Sequence, residues 1–207
     1  MHRNLHCAQL AAVDADPQIS EYRLSLLAGS VRTRQELSVK ILSRAFEAVT
    51  EAELRSIRSL LSDAFPEITD GFYLQQVPAC LVTATEGEAI VGQLTVHERP
   101  VLIDGEAEVI GIIGLVAVAH THRRRGVAAN MLVKAHDYLR SKGIAYSILF
   151  AVSEKYYTGA GYRAMENETA FIEDGESKTF VYRGGMVLSL SERPWVARRL
   201  DLQGEVV

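Results

Sequence analysis

Cysteine is scarce in the sequence, and the only two, Cys7 and Cys80, have unrelated surroundings. A disulfide framework is therefore not expected, and reduced thiols in a cytoplasm are the simple interpretation. No apolar run approaches the roughly 20 residues that span a bilayer. Asp14, Asp16 and Pro17 also interrupt the N-terminal apolar patch too early for a secretory signal. We therefore expect a cytoplasmic protein with no membrane contact.

An excess of positive charge is also missing. The chain has 22 lysines and arginines against 26 acidic residues, a net charge of −4, which argues against a general nucleic-acid binder. None of the six histidines has a zinc-binding spacing, so no metal is expected. With 207 residues, 48% of them hydrophobic, the chain is long enough for one substantial domain with a real core.

The most informative stretch is 115–129, which reads LVAVAHTHRRRGVAA. It predicts a strand, then a turn with Arg123, Arg124 and Arg125, and then a helix that begins after Gly126. Glycine lets a ligand approach the backbone closely. The start of a helix offers free N–H groups and a favourable dipole to an anion, and arginine suits phosphate oxygens. This pattern favours a site for a phosphorylated ligand over a solvated basic loop or a nucleic-acid patch.

The residues on either side of this turn predict a strand–helix–strand crossover. The strand before it carries Gly111 and Gly114, which indicate a bulge or a close backbone approach. The helix after it ends near Gly143, and a second apolar strand follows, so the two strands should be parallel. The inner side of the helix is predicted to hold Val127, Met131, Leu132, Ala135 and Leu139.

The rest of the chain predicts one mixed α/β domain, mainly antiparallel with this one parallel crossover. A capping box at Thr50 and Glu53 begins a helix that ends before Pro66, Asp104-Gly105 is a hairpin turn, and Ser153 is expected to cap a short helix through Tyr157. Strands are predicted at 37–42, 80–85, 89–98, 108–119, 144–152, 162–172 and 179–190. Residues 191–207 are interpreted as a tail, and 66–78 as a loop or a short second helix.

Residues 1–36 are treated as an N-terminal extension, and 37–207 as the domain. A short helix at 19–27 is the only element predicted in the extension. A dimer arm, a cap over the domain and a loosely ordered tail all remain open as its role. A homodimer is accordingly left open.

Two motifs resemble those of the GNAT (GCN5-related) N-acetyltransferases. Residues 123–128, RRRGVA, fit the family pattern Q/R-x-x-G-x-G/A, and residues 157–162, YTGAGY, fit its ending Y-x-x-x-G-[FY]. One helix and one strand lie between them, as the family requires, and the resemblance covers roughly residues 37–190. It implies a GNAT-like acyl-CoA N-acyltransferase fold, with a splayed central pair of parallel strands.

The resemblance also implies transfer of an acetyl group from acetyl-CoA, as co-substrate, to an amine. The pyrophosphate would lie on the backbone amides of residues 124–129, and the backbone of residues 116–118 would bind the pantetheine like an additional strand. No metal is implied. The residues expected to bind acetyl-CoA are Val116, Ala117, Val118, Arg123, Arg124, Arg125, Gly126, Val127, Ala128 and Ala129.

The reaction assigns roles to two further groups. A backbone N–H near Val118 could stabilise the oxyanion. Tyr157 matches the motif position of the acid that protonates the leaving thiolate, because a phenol with a pKa near ~10 stays protonated at neutral pH. Tyr156 is the competing hydroxyl, and aromatic packing is the alternative role for Tyr157.

The base that takes the proton of the amine is left open. Many relatives carry a carboxylate near the positions of Ile112 or Gly114, and this sequence has none there. Its candidates, each of which could equally be an ordinary surface or strand-end residue, are Glu98, Glu108, His97 and His120. Ordered water, or an amine that binds already neutral, would also serve.

The acceptor is expected to be a small-molecule primary amine. Short segments at 62–66, 186–195 and 200–204 resemble the subgroup of aminoglycoside 2′-N-acetyltransferases and nodulation N-acyltransferases, which favours an amino sugar or aminoglycoside. The alternatives are a non-catalytic acyl-CoA-binding module and an N-acyltransferase with a longer acyl donor. Nucleic-acid binding through the arginine turn is the weakest hypothesis.

Overall fold

The computed structural model describes residues 39–66 and 77–206. They form ten strands, β1 Lys40–Ala45, β2 Cys80–Glu86, β3 Ala89–Ile103, β4 Glu106–Val118, β5 Tyr146–Phe150, β6 Arg163–Ala164, β7 Glu168–Glu173, β8 Glu176–Val181, β9 Gly185–Ser189 and β10 Arg199–Glu205. The helices are α1 Glu51–Ala64, α2 Val127–Ser141 and α3 Lys155–Thr158. The strands make one mixed sheet in the order β6-β9-β5-β4-β3-β10-β7-β8, and β2 and then β1 branch from β3. The predicted mixed α/β class is confirmed.

Helix α1 begins at the predicted capping box. The Glu53 N–H donates to the Thr50 hydroxyl (3.3 Å), and the Thr50 N–H donates to the Glu53 carboxylate (2.9 Å). These reciprocal bonds satisfy two N–H groups that the first turn would otherwise leave free. The apolar face of the helix buries Ile57, Leu60 and Leu61, as its periodicity predicts. The predictions for 1–36 and for the loop after Pro66 fall largely outside the described residues.

The strand boundaries differ from the prediction where pairing continues past a local sequence signal. Strand β1 starts at Lys40 and extends to Ala45, because β2 offers a partner along that whole length. Strand β3 does not stop at Glu98 but pairs with β4 as far as the Asp104-Gly105 turn, in which both residues have a positive φ. Its first half pairs with β2 and its end with β10.

The predicted crossover is confirmed, since β4 and β5 are parallel and are joined through α2. They pair over only two positions, Gly111 with Ser147 and Ile112 with Ile148. Beyond Ile112, β4 continues to Val118 and stays paired with β3 on one side. On the other side it has no pairing with β5. The two central strands therefore separate, as the family resemblance implies.

A bulge lies in the free part of β4, one residue beyond the position suggested by Gly114. Thr95 pairs with Gly114 and Gln93 with Ala117, so Leu115 and Val116 together oppose one residue of β3. Leu115 has φ +46°, a conformation that costs a non-glycine residue of order 1–3 kcal/mol. The Gln93 side-chain amide donates to the Leu115 carbonyl, which supports this turn of the backbone.

Gly111 is the close backbone approach that the sequence predicts. A Cβ atom there would overlap Cδ1 of Leu139 on α2. We expect Gly111→Ala to lower the free energy of unfolding by about 1–3 kcal/mol, because a filled core must shift to admit the methyl group. Urea unfolding measures the change. Gly159→Ala, with nothing within 4 Å of its Cβ, is the control, and equal losses would contradict this view of Gly111.

The C-terminal part departs most from the prediction. Two predicted strands at 162–172 and 179–190 are four shorter ones, β6 to β9, since the chain turns after Ala164 and again after Val181. The supposed tail contains β10, which pairs in parallel with β7 and antiparallel with β3; the sheet thus has a second parallel pair. Ser153 does not cap α3, whose N-cap is Glu154 without a side-chain hydrogen bond.

The sheet separates two packed regions. One face packs on α2 through residues such as Leu94, Ile113 and Leu149. The opposite face is covered at one end by α1, and at the other end it packs with C-terminal residues around Trp195 and Phe171. The gap between β4 and β5 lies between these regions.

Candidate active site

The free edge of β4 supplies backbone groups to the gap. The Ala119 N–H donates to the Val91 carbonyl (2.8 Å), and Val118 pairs with Gly92. In an antiparallel ladder this pattern directs the N–H and carbonyl of Val118 away from β3, and alternation gives Val116 the same direction while Ala117 faces β3. Of the three residues expected to hold pantetheine, Val116 and Val118 thus direct their backbone groups away from β3, and the Val118 carbonyl is bonded to Arg123.

Arg123 fastens the arginine turn to the end of β4. Its Nε donates to the carbonyl oxygen of Val118 (3.0 Å), and its side chain is half-buried. Arg124 and Arg125 are exposed. The three arginines are therefore not equivalent, because one holds the backbone in place while two lie at the surface around the turn.

The N-terminus of α2 is open toward this turn. Its N-cap, Gly126, has φ +75° and makes no side-chain cap, and the Asn130 N–H makes the first helical bond, to the Gly126 carbonyl (3.0 Å). The N–H groups of Val127, Ala128 and Ala129 precede that bond, so the helix itself gives them no acceptor. These are the groups expected to bind the pyrophosphate.

A histidine-centred contact orders the residues just before the turn. His120–His122 form a 3₁₀ turn. Nδ1 of the buried His122 lies 2.8 Å from the Thr121 hydroxyl, and its Nε2 lies 3.3 Å from the Glu86 carboxylate. This contact ties the turn to the β2–β3 hairpin, and the sequence analysis did not anticipate it.

Tyr157 lies on the α2 side of the sheet as a buried hydroxyl. The residue is 3% exposed, and among residues 39–66 and 77–206 its oxygen has no hydrogen-bond partner. Burial raises the pKa of the phenol above its ordinary value, which keeps the proton on the oxygen. Tyr156 is only half-buried, with the Lys155 ammonium 4.9 Å from its ring centroid.

A buried group of polar side chains packs next to Tyr157, and the sequence analysis did not predict it. The Tyr162 ring meets the Tyr157 ring edge-on with centroids 6.1 Å apart. Its hydroxyl lies 3.0 Å from Nε2 of His136 and 2.6 Å from the Ser147 hydroxyl. Burial, followed by the charge of Arg140, lowers the pKa of His136 to about 4. The available signal was a histidine on the apolar inner side of α2.

Three of the four candidate bases are engaged or exposed elsewhere. Glu108 accepts from Arg193 (2.8 Å), and Glu98 accepts from the Tyr138 hydroxyl (2.6 Å) on the α2 side. His120 is exposed after the end of β4. His97 differs from all three, because it is buried within β3.

Within residues 39–66 and 77–206, no group of three or more histidine, cysteine or acidic side chains is arranged to hold a metal ion. Over the same ranges, none of the helices has the length and apolar character needed to cross a membrane.

Comparison with known proteins gives a family match over most of the described chain. Residues 39–165 match the sequence model of the Acetyltransferase (GNAT) domain. No curated protein matches the chain significantly. The narrower resemblance to aminoglycoside 2′-N-acetyltransferases therefore stays a hypothesis.

Solved structures share the fold at low sequence identity. The GNAT family N-acetyltransferase YhbS from Escherichia coli, in complex with CoA, is 18% identical, with a TM-score of 0.56, and the match covers 80% of this chain and 91% of that one. A GNAT family acetyltransferase from Brucella melitensis, in complex with acetyl-CoA, is 16% identical with a TM-score of 0.51, covering 75% and 91%.

A third structure is longer than this chain. The probable N-acyltransferase from Enterococcus faecalis is 17% identical with a TM-score of 0.53, covering 61% of this chain. The match spans 33% of that protein, so the chain corresponds to about a third of its length.

Proposed function

Because the chain belongs to the GNAT acetyltransferase family, we propose that it transfers the acetyl group of acetyl-CoA to a small primary amine. The separation of β4 from β5 beyond Ile112, next to the uncapped N-terminus of α2, carries this proposal. In this arrangement the backbone groups of β4 would bind the pantetheine, and the adjoining N–H groups of α2 would bind the pyrophosphate. The CoA and acetyl-CoA complexes of E. coli YhbS and the B. melitensis protein support the choice of donor.

The proposed reaction is direct attack of the amine nitrogen on the thioester carbonyl. The new C–N bond forms, the C–S bond breaks, and the nitrogen loses a proton. We assign stabilisation of the developing oxyanion to the Val118 N–H, which points to the gap. We assign protonation of the departing thiolate to the Tyr157 hydroxyl, which is buried and has no competing partner in the part of the chain that the structure describes.

An amino sugar is the acceptor class we propose first. The support is the resemblance of the segments at 62–66, 186–195 and 200–204 to enzymes that acylate amino sugars. Two of these segments, 186–195 and 200–204, contain most of β9 and β10. Both lie outside the matched residues 39–165. Acceptor choice would then depend on the part of the chain that the family pattern does not specify.

We expect the purified protein to release free CoA thiol from acetyl-CoA when an aminoglycoside is present, at a rate well above that of thioester hydrolysis. A thiol-reactive dye measures the release across aminoglycosides, polyamines and peptides, and mass spectrometry identifies the acetylated product. Reactions with octanoyl-CoA test the longer-donor alternative. Binding of acetyl-CoA without turnover of any amine would favour the non-catalytic module and contradict the proposal.

A further inference from the structure

Resting on the proposed function, we propose that His97 of β3 accepts the proton that the attacking amine loses. This role deepens the assignment of the gap as the reaction site and gives the mechanism the base that its central strand does not contain.

Pairing places His97 at the point where the gap opens. It stands directly opposite Ile112 in the β3–β4 ladder, and Ile112 is the last residue of β4 paired with β5. Directly paired residues project their side chains to the same face, with Cβ atoms about 4.5–5.5 Å apart. The imidazole therefore lies one strand away from the first unpaired position of β4.

The face on which His97 lies is opposite to the one that packs on α2. Along β3, Leu94 and Val96 pack toward α2, so the alternate residues Gln93, Thr95 and His97 face the other side. Tyr157 belongs to the α2 side. A thioester passing between β4 and β5 would thus meet the acid on one side and the base on the other.

The chemical state of His97 suits a proton acceptor. The residue is only 6% exposed. Burial, followed by the charge of Arg99, lowers its pKa to about 4, so the ring is neutral at physiological pH. Arg99, two residues along the same face, is the charged group that adds to this lowering of the pKa.

Buried hydroxyls on the same sheet face as His97 favour a polar acceptor. Thr95 is fully buried, Thr83 is nearly so, and the hydroxyl oxygen of each lacks a partner within the described residues. Thr95 precedes His97 by one alternation of the strand, and Thr83 lies on the same face, paired with Gln93. Unpaired hydroxyls of this kind favour an acceptor that carries hydrogen-bonding groups close to its amine.

The proton transfer closes without any further reactant. As the C–N bond forms, the amine nitrogen becomes more acidic, and its proton passes to the unprotonated ring nitrogen of His97. The C–S bond breaks, and the thiolate takes the proton of the Tyr157 phenol. The imidazolium of His97 then loses its proton to solvent, and the Tyr157 phenolate takes one up. The low pKa of His97 favours rapid release of the proton.

The test compares the single variants His97→Gln and Glu98→Gln with the wild-type protein. Glu98 is next to His97 in β3 and lies on the other face of the sheet. We expect His97→Gln to lower kcat at least tenfold at pH 7 while the Kd of acetyl-CoA stays within twofold, and Glu98→Gln to stay near wild type. The ratio of wild-type kcat to His97→Gln kcat should fall as the pH rises from 6 to 9, because hydroxide replaces His97 as proton acceptor. Thermal unfolding of each variant checks the fold, and His97→Asn is a second variant.

Wild-type protein gives an independent measurement. Because the pKa of His97 is lowered, its base form is present above about pH 4, and kcat at saturating amine should hold from pH 8 down to about pH 5. A loss of kcat centred near pH 6.5, a full rate in His97→Gln, or a deficit that does not change with pH would overturn the role of His97 and leave the proposed function standing. A wild type that acetylates no amine would overturn both.

Discussion

Replacing Tyr157 by phenylalanine is expected to reduce kcat about 100-fold or more and to leave acetyl-CoA binding within twofold. General acid catalysis is worth about 10²–10⁴-fold, and the substitution removes only the hydroxyl. That hydroxyl is buried and has no partner among the described residues, so its loss leaves none of their groups unsatisfied. The free energy of unfolding should therefore stay the same or rise slightly.

The pH dependence of this acid follows from its burial. Burial raises the pKa of the Tyr157 phenol, so the proton remains on the oxygen through neutral and mildly alkaline pH. Wild-type kcat should not fall between pH 7 and pH 9 on account of this group. Conversely, an ordinary exposed phenol would begin to lose its proton as the pH approaches about 10.

The measurement is the rate of thiol release with saturating amine, together with calorimetric titration of acetyl-CoA. Tyr156→Phe is the matched control, since it removes the neighbouring hydroxyl from a half-buried side chain, and it should keep most of the rate. If Tyr157→Phe turns over at the wild-type rate, or if Tyr156→Phe is the slower variant, the acid role of Tyr157 is wrong.

Gly126→Ala is the second large expected effect, and it acts on binding. We expect acetyl-CoA affinity to fall about 30-fold or more, because a Cβ atom at the N-cap of α2 would take up open space that the proposed pyrophosphate needs. Apart from its chain neighbours and the helix's own backbone, no atom of the described residues lies within 4 Å of that position, so we expect the methyl group to obstruct the ligand without a clash inside the protein. The backbone strain of alanine at φ +75° adds a stability cost of about 1–2 kcal/mol.

Gly175 separates the two contributions. It has the same φ of +75° and equally open surroundings, but it lies in the turn between β7 and β8. Gly175→Ala should therefore show the same loss of stability with unchanged acetyl-CoA affinity by calorimetry. Equal affinities of Gly126→Ala and wild type would show that the pyrophosphate does not lie against this turn.

Local sequence signals predicted the parts of the fold that short-range chemistry determines. The Thr50–Glu53 capping box, the Asp104-Gly105 turn and the helix start at Gly126 each depend on residues a few positions apart. The buried side of α2 followed from a 3.6-residue period, because one helix packs against one sheet face. These elements position the candidate acetyl-CoA site, which is why so much of that site could be proposed from the sequence.

Long-range pairing determined the parts that the sequence did not reveal. Leu200 and Leu202 alternate with polar residues as in a half-buried strand, but a run of seven residues near the chain end becomes β10 only because β3 and β7 both offer edges. The placement of His97 beside Ile112 likewise depends on register across a hairpin. The contact of His136 with Tyr162 joins residues 26 positions apart, beyond the reach of any local pattern.

The bulge at Leu115 shows what the core does not require. Ile113 precedes it and Val116 follows it, and both pack toward α2; removing one residue between them would leave the inward and outward phases of β4 in step with β3. The additional residue is therefore not needed for the alternation of β4, although Leu115 itself packs against the α1 cluster, and its left-handed backbone is a cost to stability. Bulges bend the strand that carries them, so the chain gives up some regularity of its central sheet where a substrate has to pass between strands.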